Sequence, residues 1–308
     1  LLATQVGSTV CRLDADAHLL ERLAEFGSMM ALTRNDWAVH EKTGEYRNIS
    51  FHGPHGMVLN HDIDLRIFPK QWGPAFAVEK DRGARGILRS IQFFSKTGTA
   101  VHKIYLQNDA ELDAWNALID EYTSVEQLRT VTLEEPELPK RPRSYDAQGF
   151  YKGWRRMKDT HDFFGLLRKS GMRRLEAFMG APDDLARRVD TGQLETLLQR
   201  AASEGVPIMV FVGNSGCLQI HSGLIHEVKE TRGWLNILDE GFNLHLRTEG
   251  VASAWLVRKP TEDGDVHSLE LFDAAGENIA LFFGERKPGI PELDMWRELL
   301  HSVFPIDQ

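Results

Sequence analysis

The chain has 308 residues, of which 42% are hydrophobic and 26% charged, and its formal net charge is −9. This is the composition of a folded globular protein long enough for two ordinary domains. The acidic balance argues against a nucleic-acid scaffold, and no apolar run approaches the roughly 20 residues of a membrane span. Cys11 and Cys217 lie far apart, suggest no zinc site and fit a reducing cytoplasm. The start, Leu1-Leu2-Ala3, is not a signal peptide, and the missing Met predicts a trimmed native N-terminus.

Taken in chain order, the elements come twice. Asn35, Val39 and Gly44 match Asn214, Leu218 and Gly223 at a separation of 179. Ser90, Phe94 and Gly98 match Ser268, Phe272 and Gly276 at 178, and Trp115 answers Trp296. An offset held so closely reads as a tandem duplication. Each copy opens on a helical region and continues into strands with period-two apolar positions, such as Ser90–Phe94 and Ser268–Phe272. Turns follow at Lys96-Thr97-Gly98 and Ala275-Gly276, and a helix closes each copy, at 109–122 and 291–303. The pattern predicts an α+β fold with antiparallel sheets. Three prolines and dense charge mark 131–150 as a linker between a first repeat, 1–130, and a second, 151–308.

One segment breaks the symmetry. The first-copy counterpart of His161 would fall before the start of the chain. Asp159 or Thr160 is expected to N-cap a helix with His161 in its first turn and Phe164 and Arg168 on the same face. The helix dipole there disfavours imidazolium, and a neutral imidazole can ligate a metal. Read from these residues alone, His161 is first a solvent-facing polar residue of the first helical turn, and a ligand only second. No GxGxxG follows a strand and no phosphate-binding GxxxxGK[ST] occurs. Adjacent carboxylates such as Asp239-Glu240 point apart and form no catalytic pair.

The segments DTHDFFGLLRK, IMVFVGNSGCLQIHSG, GWLNILDEGFNLHL and WLVRKPTEDGDVHSLELFD, with TRNDWAVHEKTGEY, IDLRIF and SIQFF in the first copy, resemble the bacterial haemin-transport or haemin-degrading-factor family. The likeness runs from about residue 8 to about residue 300. It implies a duplicated sheet-plus-helices unit with a haem cleft between the two halves. It implies haem as cofactor, His161 as the axial ligand to its iron, and Arg89 on the opposite face, with Arg85 and Arg82 close in register. Arg174, Lys259 and Arg286 would surround the propionates, and Phe211 and Phe283 would touch the porphyrin. Taken singly, each cation reads first as a solvated surface residue; only their joint match to the family points to haem. Some relatives carry Tyr or Phe where this chain has Ala280 and Ile91, which implies a distal pocket that is roomier or less polar. His52, His55 and His61 form a small cluster that reads either as a polar turn or as a site for a metal or a second, weaker haem.

The expected function is that of a cytoplasmic haem-binding and trafficking protein of bacterial haem uptake and iron acquisition, binding one haem per chain. Its partners would be an inner-membrane haem importer and a downstream haem oxygenase or haem acceptor. Two rivals stand beside it: a haem-degrading enzyme that opens the ring with reductant and dioxygen, and a non-haem protein-interaction scaffold. The resemblance covers carrier and enzyme alike.

Overall fold

From Ala38 to Gly44 buried and half-buried positions alternate without a break, as in a strand with one face on a core. Such strands dominate the computed structural model, which describes residues 7–127, 130–136, 146–287 and 289–305. In chain order they are β1 (Ser8–Leu13), β2 (Met29–Arg34), β3 (Ala38–Gly44), β4 (Ile49–His52), β5 (His55–Leu59), β6 (Asp64–Ile67), β7 (Trp72–Asp81), β8 (Ile87–Ser95) and β9 (Ala100–Leu106). After them come β10 (Ala186–Val189), β11 (Ile208–Gly213), β12 (Cys217–Gly223), β13 (Val228–Thr231), β14 (Trp234–Asp239), β15 (Phe242–Arg247), β16 (Ser253–Thr261), β17 (Gly264–Phe272) and β18 (Asn278–Gly284). The helices are α1 (Leu19–Arg22), α2 (Leu112–Tyr122), α3 (Ala147–Trp154), α4 (Asp162–Ser170), α5 (Arg174–Met179), α6 (Leu194–Ser203) and α7 (Asp294–Val303). The expected α+β architecture with antiparallel sheets is borne out.

The described residues fall into two compact units. Unit 1 takes in those of Leu1–Glu137 together with Val212–His221 and Glu240–Leu244. Its strands run β1-β7-β8-β9-β2-β3, each pair antiparallel. A second ladder pairs β4 with β5, β5 with β6, and β6 with Cys217–Ile220 of β12. Unit 2 holds the remainder, with β10-β16-β17-β18-β11 antiparallel throughout and β13 paired with β14.

The repeat is visible in its turns. Gly98 and Gly276 both take positive φ, at 88° and 79°, where glycine carries no Cβ penalty. Asn35 and Asn214 each accept two backbone N–H bonds from their own turn, from Trp37 and Ala38 and from Gly216 and Cys217. Their amides then cross over within unit 1: Asn35 Nδ2 donates to Gly213 O at 3.1 Å and Asn214 Nδ2 to Arg34 O at 2.9 Å. The last helix starts later than its pattern suggested, at Asp294, because Glu292 is tied to β17, accepting from the His267 backbone N–H at 2.6 Å. In the expected linker, residues 130–136 run without helix or strand and α3 begins at Ala147; 137–145 lie outside the described residues, as do Leu1-Leu2-Ala3.

One strand of unit 1, β7, offers a direct test. A Cβ on Gly73 would come within 2.9 Å of the backbone of Ser95 and Lys96, beside the irregularity in the β7–β8 ladder. Backbone cannot swing aside as a side chain can. Gly73→Ala is therefore expected to destabilise the protein by about 1–3 kcal/mol, the usual range for overpacking. A denaturant midpoint equal to that of wild type would contradict this.

Candidate functional site

The helix that carries His161 is held by aromatic packing. Phe150, Trp154, Phe163 and Phe178 are buried together in unit 2, with Trp255 and Phe272 from the sheet below. Phe163 lies 4.7 Å from Trp154 and 5.8 Å from Phe178, ring centre to ring centre. Trp154 Nε1 donates to Arg258 O at 2.9 Å, fixing α3 to β16. With Phe163 turned inward, the 3.6-residue period turns His161, Phe164 and Arg168 outward, all exposed. Gly171 ends the helix in the left-handed conformation.

The start of α4 differs from expectation by one step. His161 stands at the cap position and α4 begins at Asp162, because the chain from Asp159 to Phe163 winds as tight i→i+3 turns. Asp159 serves His161 itself: its Oδ1 accepts from the His161 backbone N–H at 2.8 Å and lies 2.6 Å from ring Nδ1. Those two bonds hold the Asp159 carboxyl below the usual carboxylate range, with the charge of Arg286 adding to them. An ionised carboxylate only accepts, so Nδ1 carries the proton and the lone pair of the neutral ring sits on Nε2. The ring is 85% exposed, and Phe164, one turn on, is 62% exposed. A ring nitrogen of fixed tautomer thus stands beside a bare aromatic face.

Behind α4 lies a buried ionic hub. The register places Lys259, Ser268, Glu270 and Phe283 on one sheet face, the face covered by the aromatic cluster. Glu270 is 0% exposed, Lys259 3% and Arg174 16%. Arg174 donates to Glu270 through Nε at 2.5 Å and Nη2 at 2.8 Å, and Lys259 Nζ donates to it at 2.6 Å. Burial alone would raise the Glu270 carboxyl, but the charges of Arg174 and Lys259 outweigh it and hold the carboxyl well below its ordinary range. Burial draws the Lys259 ammonium down to about 8, with Glu270 resisting the fall, so the hub is ionised at neutral pH. The Arg174 guanidinium lies 5.3 Å over Phe163 and 5.4 Å over Phe164, while Lys259 Nζ lies 5.2 Å over Phe163 and 5.5 Å over Phe283. Phe283 meets Phe211 edge to face at 5.1 Å.

Contacts therefore join Arg174, Lys259, Phe211 and Phe283, and α4 ties His161 to them. Arg286 joins through charge: it acts on Asp159 and lies 3.6 Å from Asp263. Its Nε is buried without a hydrogen-bond partner among the described residues. Arg89 belongs to unit 1, where Nε donates to Glu79 at 3.0 Å and Nη1 to Asp109 at 3.3 Å; Arg82 and Arg85, earlier in the chain, are exposed. Ile91 and Ala280, where the resemblance implied a roomier or less polar distal pocket, are each fully buried in their strands. His52 and His55 oppose each other across a hairpin turn and His61 pairs with Asp62, but no cluster of three metal-ligating side chains exists among the described residues. Sequence reasoning did not find Glu270; its only local mark is a carboxylate between Leu269 and Leu271 in a strand covered on both faces.

A family model described as the haemin-degrading HemS.ChuX domain matches residues 1–122 and 171–303. The chain belongs to this family. The HemS.ChuX match leaves out 123–170, so His161 and α4 lie outside it. Hemin transport protein HmuS of Yersinia pestis is 41% identical over 311 residues, spanning 100% of this chain and 89% of the relative. Holo-PhuS, a heme-binding protein from Pseudomonas aeruginosa, superposes with a TM-score of 0.91 at 45% identity, covering 95% of this chain and 86% of that one. ChuS, an E. coli heme oxygenase, gives 0.88 at 38% identity, covering 96% and 89%. Among the described residues no helix is long and apolar enough to cross a membrane.

Proposed function

We propose that this protein binds haem through His161 Nε2 and carries it in the cytoplasm during bacterial haem uptake and iron acquisition. The observation behind this reading is the exposed imidazole whose tautomer Asp159 sets, next to the exposed ring of Phe164. The relatives' names, hemin transport protein and heme-binding protein, support it. The residues suit the group: a neutral imidazole for iron, aromatic faces at Phe164, Phe211 and Phe283 for the porphyrin, and Arg174 and Arg286 for its carboxylates. Bound haem would supply an iron centre open to an axial imidazole. The partners we assign are an inner-membrane haem importer and a downstream oxygenase or acceptor.

Haemin titration tests the reading. One equivalent should shift the main absorption band, and the absence of any shift would leave the scaffold reading standing. Adding a physiological electron donor in air then separates carriage from degradation. Bleaching with stoichiometric iron release that persists in catalase would make the protein an enzyme; a carrier keeps its spectrum once peroxide is removed.

Asp159→Ala should free the His161 ring and weaken haem binding about tenfold, as loss of a metal ligand's outer partner typically does. The same variant probes pH. The folded Asp159 carboxyl sits below its ordinary value, so its stabilising effect is whole above the ordinary carboxylate range and is lost as pH falls through the depressed value. The difference in Tm between wild type and Asp159→Ala should therefore shrink on acidification. A difference that grew toward low pH would reverse the assignment.

A further inference from the structure

Two cations share one carboxylate behind α4, and they are not equally committed to it. Lys259 is 3% exposed, and its Nζ also reaches Ser268 Oγ at 3.4 Å, so both its partners lie inside the hub. Arg174 is the first residue of α5, 16% exposed, and its guanidinium lies under the bare ring of Phe164, one turn from His161. We propose that Glu270 is a resident carboxylate that occupies Arg174 until a carboxylate of the ligand takes its place, and that Lys259 is the counter-ion that stays behind. This rests on the haem reading above, and it gives Lys259, which the family resemblance placed at the propionates, to Glu270 instead.

The charges support the exchange. A carboxylate 0% exposed must keep at least one cation, because an uncompensated buried charge is strongly unfavourable. When Arg174 leaves, Glu270 retains Lys259 at 2.6 Å and the Ser268 hydroxyl at 3.0 Å, a neutral and hydrogen-bonded remnant. The departing guanidinium carries one positive charge and a planar fork that fits any carboxylate with two parallel bonds. The hub as a whole, two cations and one anion, therefore offers the ligand a single net positive charge.

The duplication supplies an internal comparison. Ser268 and Glu270 on β17 correspond to Ser90 and Gln92 on β8. In unit 1 Gln92 Nε2 donates to Ser90 Oγ at 3.0 Å, and both residues are buried. The same strand position thus folds with a neutral amide. Glu270 is required by the two cations of unit 2, not by the strand.

The test titrates ferric protoporphyrin IX and its dimethyl ester into wild type, Glu270→Gln and Glu270→Asp, read by the main absorption band. In Glu270→Gln the internal competitor is neutralised, so affinity for the diacid should rise about tenfold while that for the diester stays unchanged. Glu270→Asp keeps the charge but pulls it back from the Arg174 fork, and should shift the diacid in the same direction by less. It decides the matter alone if circular dichroism shows that Glu270→Gln does not fold. Equal effects on diacid and diester, or a diacid affinity unchanged or lowered in the folded variants, would overturn the role of Glu270 and leave haem binding intact. Failure of wild type to bind either porphyrin would remove the haem reading and this inference with it.

Discussion

His161→Ala should bind haem at least tenfold more weakly than wild type, about 1.4 kcal/mol or more, and lose the spectrum of an imidazole-bound iron. The size follows from removal of the only protein bond we assign to the metal through this helix. Fold stability should hardly change. The ring is 85% exposed and bonded to Asp159, two residues away, so its loss opens no cavity and strands no buried group. That separation gives the experiment its force: thermal unfolding serves as the control and haemin titration as the readout. A variant with wild-type affinity and spectrum would remove His161 from the site.

Phe163→Ala should produce the largest stability loss among these variants, about 3–5 kcal/mol. Phe163 is the buried residue of α4, and its neighbours are Trp154 and Phe178 on one side and the cations of Arg174 and Lys259 on the other. Truncation removes a ring from a close-packed cluster and withdraws the π face on which both cations rest. Haem binding should weaken as well, because α4 then has no anchor to hold His161 in place. Phe163→Leu refills most of the volume and should recover much of the stability but not the cation–π contacts. Denaturant midpoints rank the three proteins; a midpoint for Phe163→Ala within about 0.5 kcal/mol of wild type, the range of an ordinary surface change, would mean that the cluster does not carry α4.

Much of the fold was legible because its cause is local. Period-two patterning marks β8 and β17, and the positive φ of Gly98 and Gly276 needs glycine wherever that turn recurs. The membership of unit 1 was not legible. Val212–His221 and Glu240–Leu244 join it through pairings such as Cys217 with Ile67, and a strand carries no mark of a partner 150 residues away. The site divides in the same way. His161 was readable because it breaks the repeat, and Asp159 because capping residues are short and polar, though its bond to the ring was not foreseen. Arg174 and Lys259 were readable as cations only through family resemblance. Their engagement with Glu270 depends on which sheet face α3, α4 and α5 cover, a tertiary fact that turns an ordinary polar position into a buried ion.

The composition of unit 1 also bears on how the chain comes off the ribosome. Domains generally fold as units, the N-terminal one first, as synthesis proceeds. Here unit 1 cannot be completed when residue 137 appears, because it still lacks Val212–His221 and Glu240–Leu244. At roughly 5–20 residues per second, those last residues arrive about 5–20 seconds later. Until Cys217–Ile220 emerge, β6 has β5 on one side and an open edge on the other, where they will pair. An open strand edge is a template for pairing with other chains. The nascent protein thus carries a period of exposure to aggregation that two self-contained repeats in series would have avoided.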